Sequence, residues 1–265
     1  MGALYSYLVW LTWTPTLNPP AQERDLGPPV EERGFNLNST PYFPAVRELP
    51  CVLGISPKYF ALNEERNLYV AKHHWLLLAE VIGDLTIRLS PQEKRKAKNY
   101  GLSAADLERP CYLVCDRNGT IFPLVFRLSD DDLRAFKHRL KGQFKEGRTV
   151  AVFYANWSPF LMGIAGVVVG RLRSIEVIYC PLRTLLWADR DSELAVVENA
   201  CIECGFNVSV DVICDKCRQL GRYCTKRCRA TYSPLHKKMC TASKQVKAWK
   251  ALDWDKFDEA WSTEV

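Results

Sequence analysis

Eight side chains between residues 201 and 240 have the types and spacings of metal ligands. They fall in four pairs: Cys201 and Cys204, Cys214 and Cys217, Cys224 and Cys228, and His236 with Cys240. Two intervening residues, as in the first two pairs, let a tight turn aim both ligands at one ion. Three intervening residues, as in the last two, are the i, i+4 spacing of one helix face. Seven thiolates and one imidazole fill two tetrahedral sites with no ligand left over. A filled site has no open position for water, so the pattern predicts two structural Zn2+ ions per chain rather than a catalytic one. A disulfide framework fails on parity, because seven cysteines cannot pair among themselves and His236 has no role in one. A module of about 40 residues rarely folds on apolar burial alone, so metal binding, on the order of 10 kcal/mol per structural zinc, must hold it together.

Outside this stretch the sequence offers little chemistry. No glycine-rich phosphate loop, nucleophile elbow or HExxH pair occurs in the chain. His73 and His74 fall within Tyr69 to Ile82, whose length and composition predict a helix. Adjacent residues on a helix diverge by about 100°, so these two cannot meet on one metal, and one buried and one exposed histidine is expected. Cys111 and Cys115 are four apart in a predicted strand and share a face, without a third or fourth ligand nearby, so they read as core thiols. No catalytic residues are assigned, and the chain reads as non-enzymatic.

The cysteine pattern resembles the MYND-type zinc finger. The residues that carry the resemblance are CIEC, CDKC, RYCTKRC with its aromatic before the fifth ligand, and HKKMC. The resemblance implies interleaved sites: Cys201, Cys204, Cys224 and Cys228 on one zinc, and Cys214, Cys217, His236 and Cys240 on the other. It also implies a protein–protein interaction role, through short peptides of the form Pro-x-Leu-x-Pro. Arg229 and Ser233 stand where the family commonly has the Gln and Trp that contact such peptides. Pro15-Thr16-Leu17-Asn18-Pro19 has the peptide's form, so the chain carries a candidate ligand of its own.

The elements that must position these ligands read as α+β: a mixed helix and strand domain, then the small finger, then a C-terminal helix. Eight of the 15 prolines lie between Pro15 and Pro50, which reads as a proline-rich flexible arm over residues 1–50, with the folded part beginning near Cys51. Ser90-Pro91-Gln92-Glu93 is an N-cap, a proline at the first helical position and a capping-box Glu. Cys111 to Leu128 reads as a hairpin turning at Asp116-Arg117-Asn118-Gly119, with Pro123 suggesting an edge or a bulge. Ser129 caps a helix with Leu133, Phe136 and Leu140 on one face. Strands follow at 149–154, 164–169 and 175–179, then a short helix at Leu182 to Trp187. Strand runs broken irregularly by helices give the α+β class to residues 51–195. The finger occupies 196–242, after a junction between Ala188 and Ala200. Residues 243–265 read as an amphipathic helix whose Trp254, Phe257 and Trp261 form one face, packed on its own domain or on a partner.

With 48% hydrophobic and 25% charged residues in 265, the composition is that of a globular protein, and no apolar run is long enough for a transmembrane segment. Residues 201–250 carry eleven Lys or Arg against three acidic residues, a net of +8, whereas residues 1–200 carry a net of only +2. Basic side chains beside zinc thiolates offset their charge. These features predict a zinc-binding protein–protein interaction adaptor. The alternative is a nucleic-acid-associated transcriptional or RNA regulator that uses the basic module. The reduced-thiol chemistry predicts an intracellular location, in nucleus or cytoplasm.

Overall fold

The computed structural model describes residues 36–39, 41–100, 108–160, 164–197, 201, 204, 223–257 and 260–261, without the side chains of 190–197, 233–236 and 238. Among the described residues nine strands form two sheets. Strands β1 (Phe60–Asn63) and β2 (Leu68–Ala71) pair as a small antiparallel hairpin. The other seven are β3 (Leu76–Asp84), β4 (Cys111–Asp116), β5 (Ile121–Phe126), β6 (Thr149–Phe153), β7 (Trp157–Pro159), β8 (Ala165–Val169) and β9 (Ile175–Ile178). They form one sheet in the order β7-β8-β5-β4-β3-β6-β9, antiparallel except for the parallel β5–β8 pair. Helix α1 is Pro91–Asn99, and α2 is Asp130–Ala135, which widens into a π-type turn at Phe136–Leu140. Helix α3 is Leu182–Val197 and α4 is Lys226–Lys250. The α+β reading therefore stands at the level of a mixed domain with C-terminal helices.

The sheet buries both faces at its β3–β6–β9 end. On one face Leu77, Ala79 and Val81 of β3 join Val150, Val152, Ile175 and Val177, closed over by Phe136, Leu140 and Phe144. On the other, Leu76 and Leu78 join Ala151, Phe153 and Ile178 beneath α3 and α4. This double burial corrects the helix expected over Tyr69 to Ile82. The run LLLAEVI is continuous because alternate residues of a central strand enter two different cores, and such a run has no period that separates it from a buried helix. Glu80, the polar interruption, accepts a hydrogen bond from the Leu182 N–H at 2.9 Å and so caps α3 from the sheet.

His73 and His74 consequently lie in the β2–β3 connection. His74 is buried (1% exposed), whereas His73 is half-buried rather than exposed, with its Nε2 3.1 Å from the Pro41 carbonyl.

The cap of α1 and the hairpin follow the sequence reading. Ser90 Oγ accepts from the Glu93 N–H, and the Glu93 carboxylate accepts from the Ser90 N–H at 2.8 Å. At the hairpin turn the buried Asp116 carboxylate accepts from Asn118, Thr120 and Val46 N–H groups at 2.9 to 3.0 Å, and Gly119 takes φ +77°. Pro123 departs from expectation: β5 is an interior strand and its pairing with β4 is unbulged. The proline is accommodated because the β8 ladder begins one residue later, at Leu124, and β8 presents Gly166 to it.

Three further boundaries differ from the sequence reading. The packed chain includes residues before Cys51, since Leu37 and Phe43 are buried in the second core and Val46 and Leu49 in the first. These apolar residues are spaced without a period among prolines, which hid their burial. Helix α3 extends to Val197 rather than ending at Trp187. At the C-terminus α4 stops at Lys250, so Trp254, Phe257 and Trp261 are not on one helical face. They nevertheless converge on the chain's own core: the Trp261 ring stacks on His74 at 3.4 Å and 4°, and the Phe257 ring lies 5.0 Å from His74. His74 Nε2 faces the Lys256 carbonyl at 2.9 Å, which can only accept, so this nitrogen carries the proton and Nδ1 accepts from Tyr154 Oη at 2.6 Å.

A Cβ at position 166 would stand 2.3 Å from the Pro123 carbonyl oxygen and 2.8 Å from its ring. Gly166→Ala should lower the unfolding free energy in urea by about 2 kcal/mol, the usual cost of forcing a methyl into a filled space; an unchanged midpoint would show that β5 and β8 are not in this contact.

Candidate metal centre

Cys224 and Cys228 straddle the start of α4. Thr225 is the N-cap, in extended conformation, and its Oγ1 accepts from the Cys228 N–H at 3.1 Å. The i, i+4 spacing expected to place both sulfurs on one helix face is therefore realised across a helix N-terminus, with only Cys228 inside the helix. Tyr223, immediately before, is buried (1% exposed), and its ring lies 6.0 Å from that of Tyr232 one turn further along α4. This aromatic pair fixes the ligand-bearing segment on its helix.

Four sulfurs converge there. Those of Cys201, Cys204, Cys224 and Cys228 all lie within 4.8 Å of one another. Three separations are 3.5 Å (Cys204 to Cys224), 3.6 Å (Cys224 to Cys228) and 3.9 Å (Cys228 to Cys204). A tetrahedron with Zn–S bonds of about 2.3 Å has edges of about 3.8 Å, so these distances suit four thiolates around one ion. They are far beyond the roughly 2.05 Å of a disulfide. Cys201 is buried and Cys204 exposed, so the centre sits at the protein surface with one ligand rooted inside.

Crowded thiols oppose one another's ionisation. The Cys224 thiol is pushed up to about 12, chiefly by hydrogen bonding with Cys204 and then with Cys228. A divalent cation among the sulfurs reverses this balance, since a coordinating thiol is deprotonated outright. The positive end of α4 and the exposed Lys226 and Arg227 in its first turn favour the same charge.

The remaining predicted ligands are placed only in part. His236 and Cys240 both occur on α4, and Cys240 is half-buried against the second core. Cys214, Cys217 and the His236 side chain lie outside the described residues. Among the described residues the four cysteines are therefore one centre for one metal ion. Cys111 and Cys115 do share a face of β4, but as thiols raised by burial, Cys111 to about 12, and Cys180 is raised likewise.

Sequence reasoning missed that α4 is one helix of 25 residues linking this centre to the sheet. Its interior holds Pro234, a residue type that removes a helical hydrogen bond and usually breaks a helix. Met239, Ala242, Val246 and Trp249 supply the offsetting burial. Thr225 was legible as a cap, three residues before Cys228.

No protein-family model matches the chain, and no curated protein matches it. The structure and sequence support a metal-binding module built on a four-cysteine centre.

Cys228→Ser should abolish metal at this centre and lower the far-ultraviolet helical signal, as the first turns of α4 lose their anchor. The near-ultraviolet signal of the buried tryptophans should persist, because α4 beyond Met239 is held by the sheet. Loss of both signals together would mean that the two ends fold as one unit.

Proposed function

We propose that the chain is a non-enzymatic adaptor of MYND type, in which two interleaved zinc sites present a surface to another protein. The observation that carries this reading is the partnering of the sulfurs. Cys201 and Cys204 lie with Cys224 and Cys228, the first pair with the third, which is the arrangement the family resemblance implies. Cys214 and Cys217 are thereby left for His236 and Cys240, at ligand spacing on α4. Both sites closed by protein ligands leave no position for substrate, which favours binding over catalysis. The partner is a protein, engaged through a proline-containing peptide on the finger near α4. The Pro15–Pro19 segment, which lies outside the described residues, is a tethered candidate for the same surface; a tether gives it an effective concentration in the millimolar range.

Elemental analysis of the reduced protein should return two zinc ions per chain, and one for Cys214→Ala; one ion in the wild type would reduce the proposal to a single-site module. An isotope-labelled Leu17→Ala chain, with its own copy disabled, should show shifts at Cys224 to His236 on titration with a peptide covering Leu11 to Ala21. Absence of shifts at millimolar peptide would remove this peptide class. Binding to a nucleic acid with a steep salt dependence, lost in Cys214→Ala, would favour the transcription or RNA reading instead.

A further inference from the structure

A cavity of about 700 Å³ lies far along the sequence from the cysteines, between α2 with its π-type turn and the connection from β8 to β9. Three arginines line it: Arg139 from the π-type turn, and Arg171 and Arg173 from the connection. All three are exposed, and one carboxylate, Asp132, lies among them. Residues 1–200 carry a net charge of only +2, so three arginines lining one cavity are a local concentration and not a sample of a basic surface.

The walls are fixed by the core. Leu172, between Arg171 and Arg173, is 3% exposed within the first core, and its N–H points to Asp132 Oδ2 at 3.4 Å. The connection is a 3-10 turn closed by Ser174, whose N–H and hydroxyl both donate to the Arg171 carbonyl at 3.2 and 2.7 Å. On the opposite wall, Phe136 and Leu140 flank Arg139 in sequence and are buried in the same core. The π-type turn adds a residue to the helical ladder just where Arg139 is presented, and such turns occur frequently at functional sites. Ser129 adds a hydroxyl to the lining, and a Cβ built on Gly170 would meet nothing within 4 Å.

We propose that this cavity binds a small molecule carrying a polyphosphate group. Guanidinium forks match phosphate oxygens two at a time, and three of them suit a chain of phosphoryl groups better than a single carboxylate. The volume falls within the 300 to 1,000 Å³ range typical of small-ligand sites. Three arginines against the one carboxylate of Asp132 give the lining an excess of positive charge. The site is independent of the zinc centre and of the adaptor reading.

The test is calorimetric titration of the zinc-loaded full chain at low salt with two probes, inorganic tripolyphosphate and ATP. Both should bind well below millimolar and weaken as salt is raised. Equal affinity would assign recognition to the phosphate chain, and tighter ATP binding would add a nucleoside to the ligand. Arg171→Ala and Arg139→Ala should each weaken binding about tenfold or more, and Arg171→Lys should recover only part, since an ammonium keeps the charge but not the fork. Unchanged zinc content and thermal midpoint show that each variant is folded. Absence of binding by both probes at millimolar concentration, or unchanged binding by both alanine variants, would overturn the proposal. Tighter binding of a short oligonucleotide through the same arginines would replace the small-molecule assignment with nucleic acid.

Discussion

Helix α4 is held at its two ends by different physics, and the C-terminal part of the molecule depends on that division. At its start, Cys228 and the neighbouring Cys224 meet Cys201 and Cys204 in a cluster that is favourable only around a cation. At its other end, Met239, Ala242, Val246 and Trp249 enter the second core of the sheet, where apolar burial supplies the stabilisation. Between them the helix crosses Pro234 without breaking. A helix with only one of these anchors would fray from the other end, because isolated helices of this length are marginal in water.

The sheet end of α4 is secured by polar contacts as well as apolar ones. Lys250, the last helical residue, pairs with the buried Asp189 of α3 at 3.2 Å, and the same carboxylate accepts the Leu37 N–H at 2.7 Å. One carboxylate thus joins α3, α4 and the segment that precedes β1. The tail beyond α4 returns to the sheet through Trp254, whose carbonyl accepts the His74 N–H at 2.9 Å just before β3, and through Trp261 on His74. Helix α4 therefore ties Cys228 directly to the core on the second face of the sheet.

Legibility in the sequence divided along physical lines. Local chemistry is readable: the caps at Ser90 and Ser129, the Asp116 to Gly119 turn and the Cys201–Cys204 and Cys224–Cys228 pairs all rest on residues a few positions apart. Tertiary burial is not. The β3 run has the sequence appearance of a helix because a strand sandwiched between two cores shows no alternation, and Leu37 to Leu49 resembles a loose arm because its apolar residues serve different cores. Trp254, Phe257 and Trp261 have helical spacing by coincidence; a turn brings them together around His74. The pairing of the first cysteine pair with the third came from family resemblance, since spacing alone permits several partnerings.

The central claim is that Cys201, Cys204, Cys224 and Cys228 alone hold one zinc ion. X-ray absorption at the zinc edge of a chain carrying both Cys214→Ala and Cys217→Ala tests it most directly. One zinc should be retained, with a shell of four sulfurs at about 2.3 Å. A shell containing nitrogen or oxygen, or failure of the double variant to retain zinc, would contradict it.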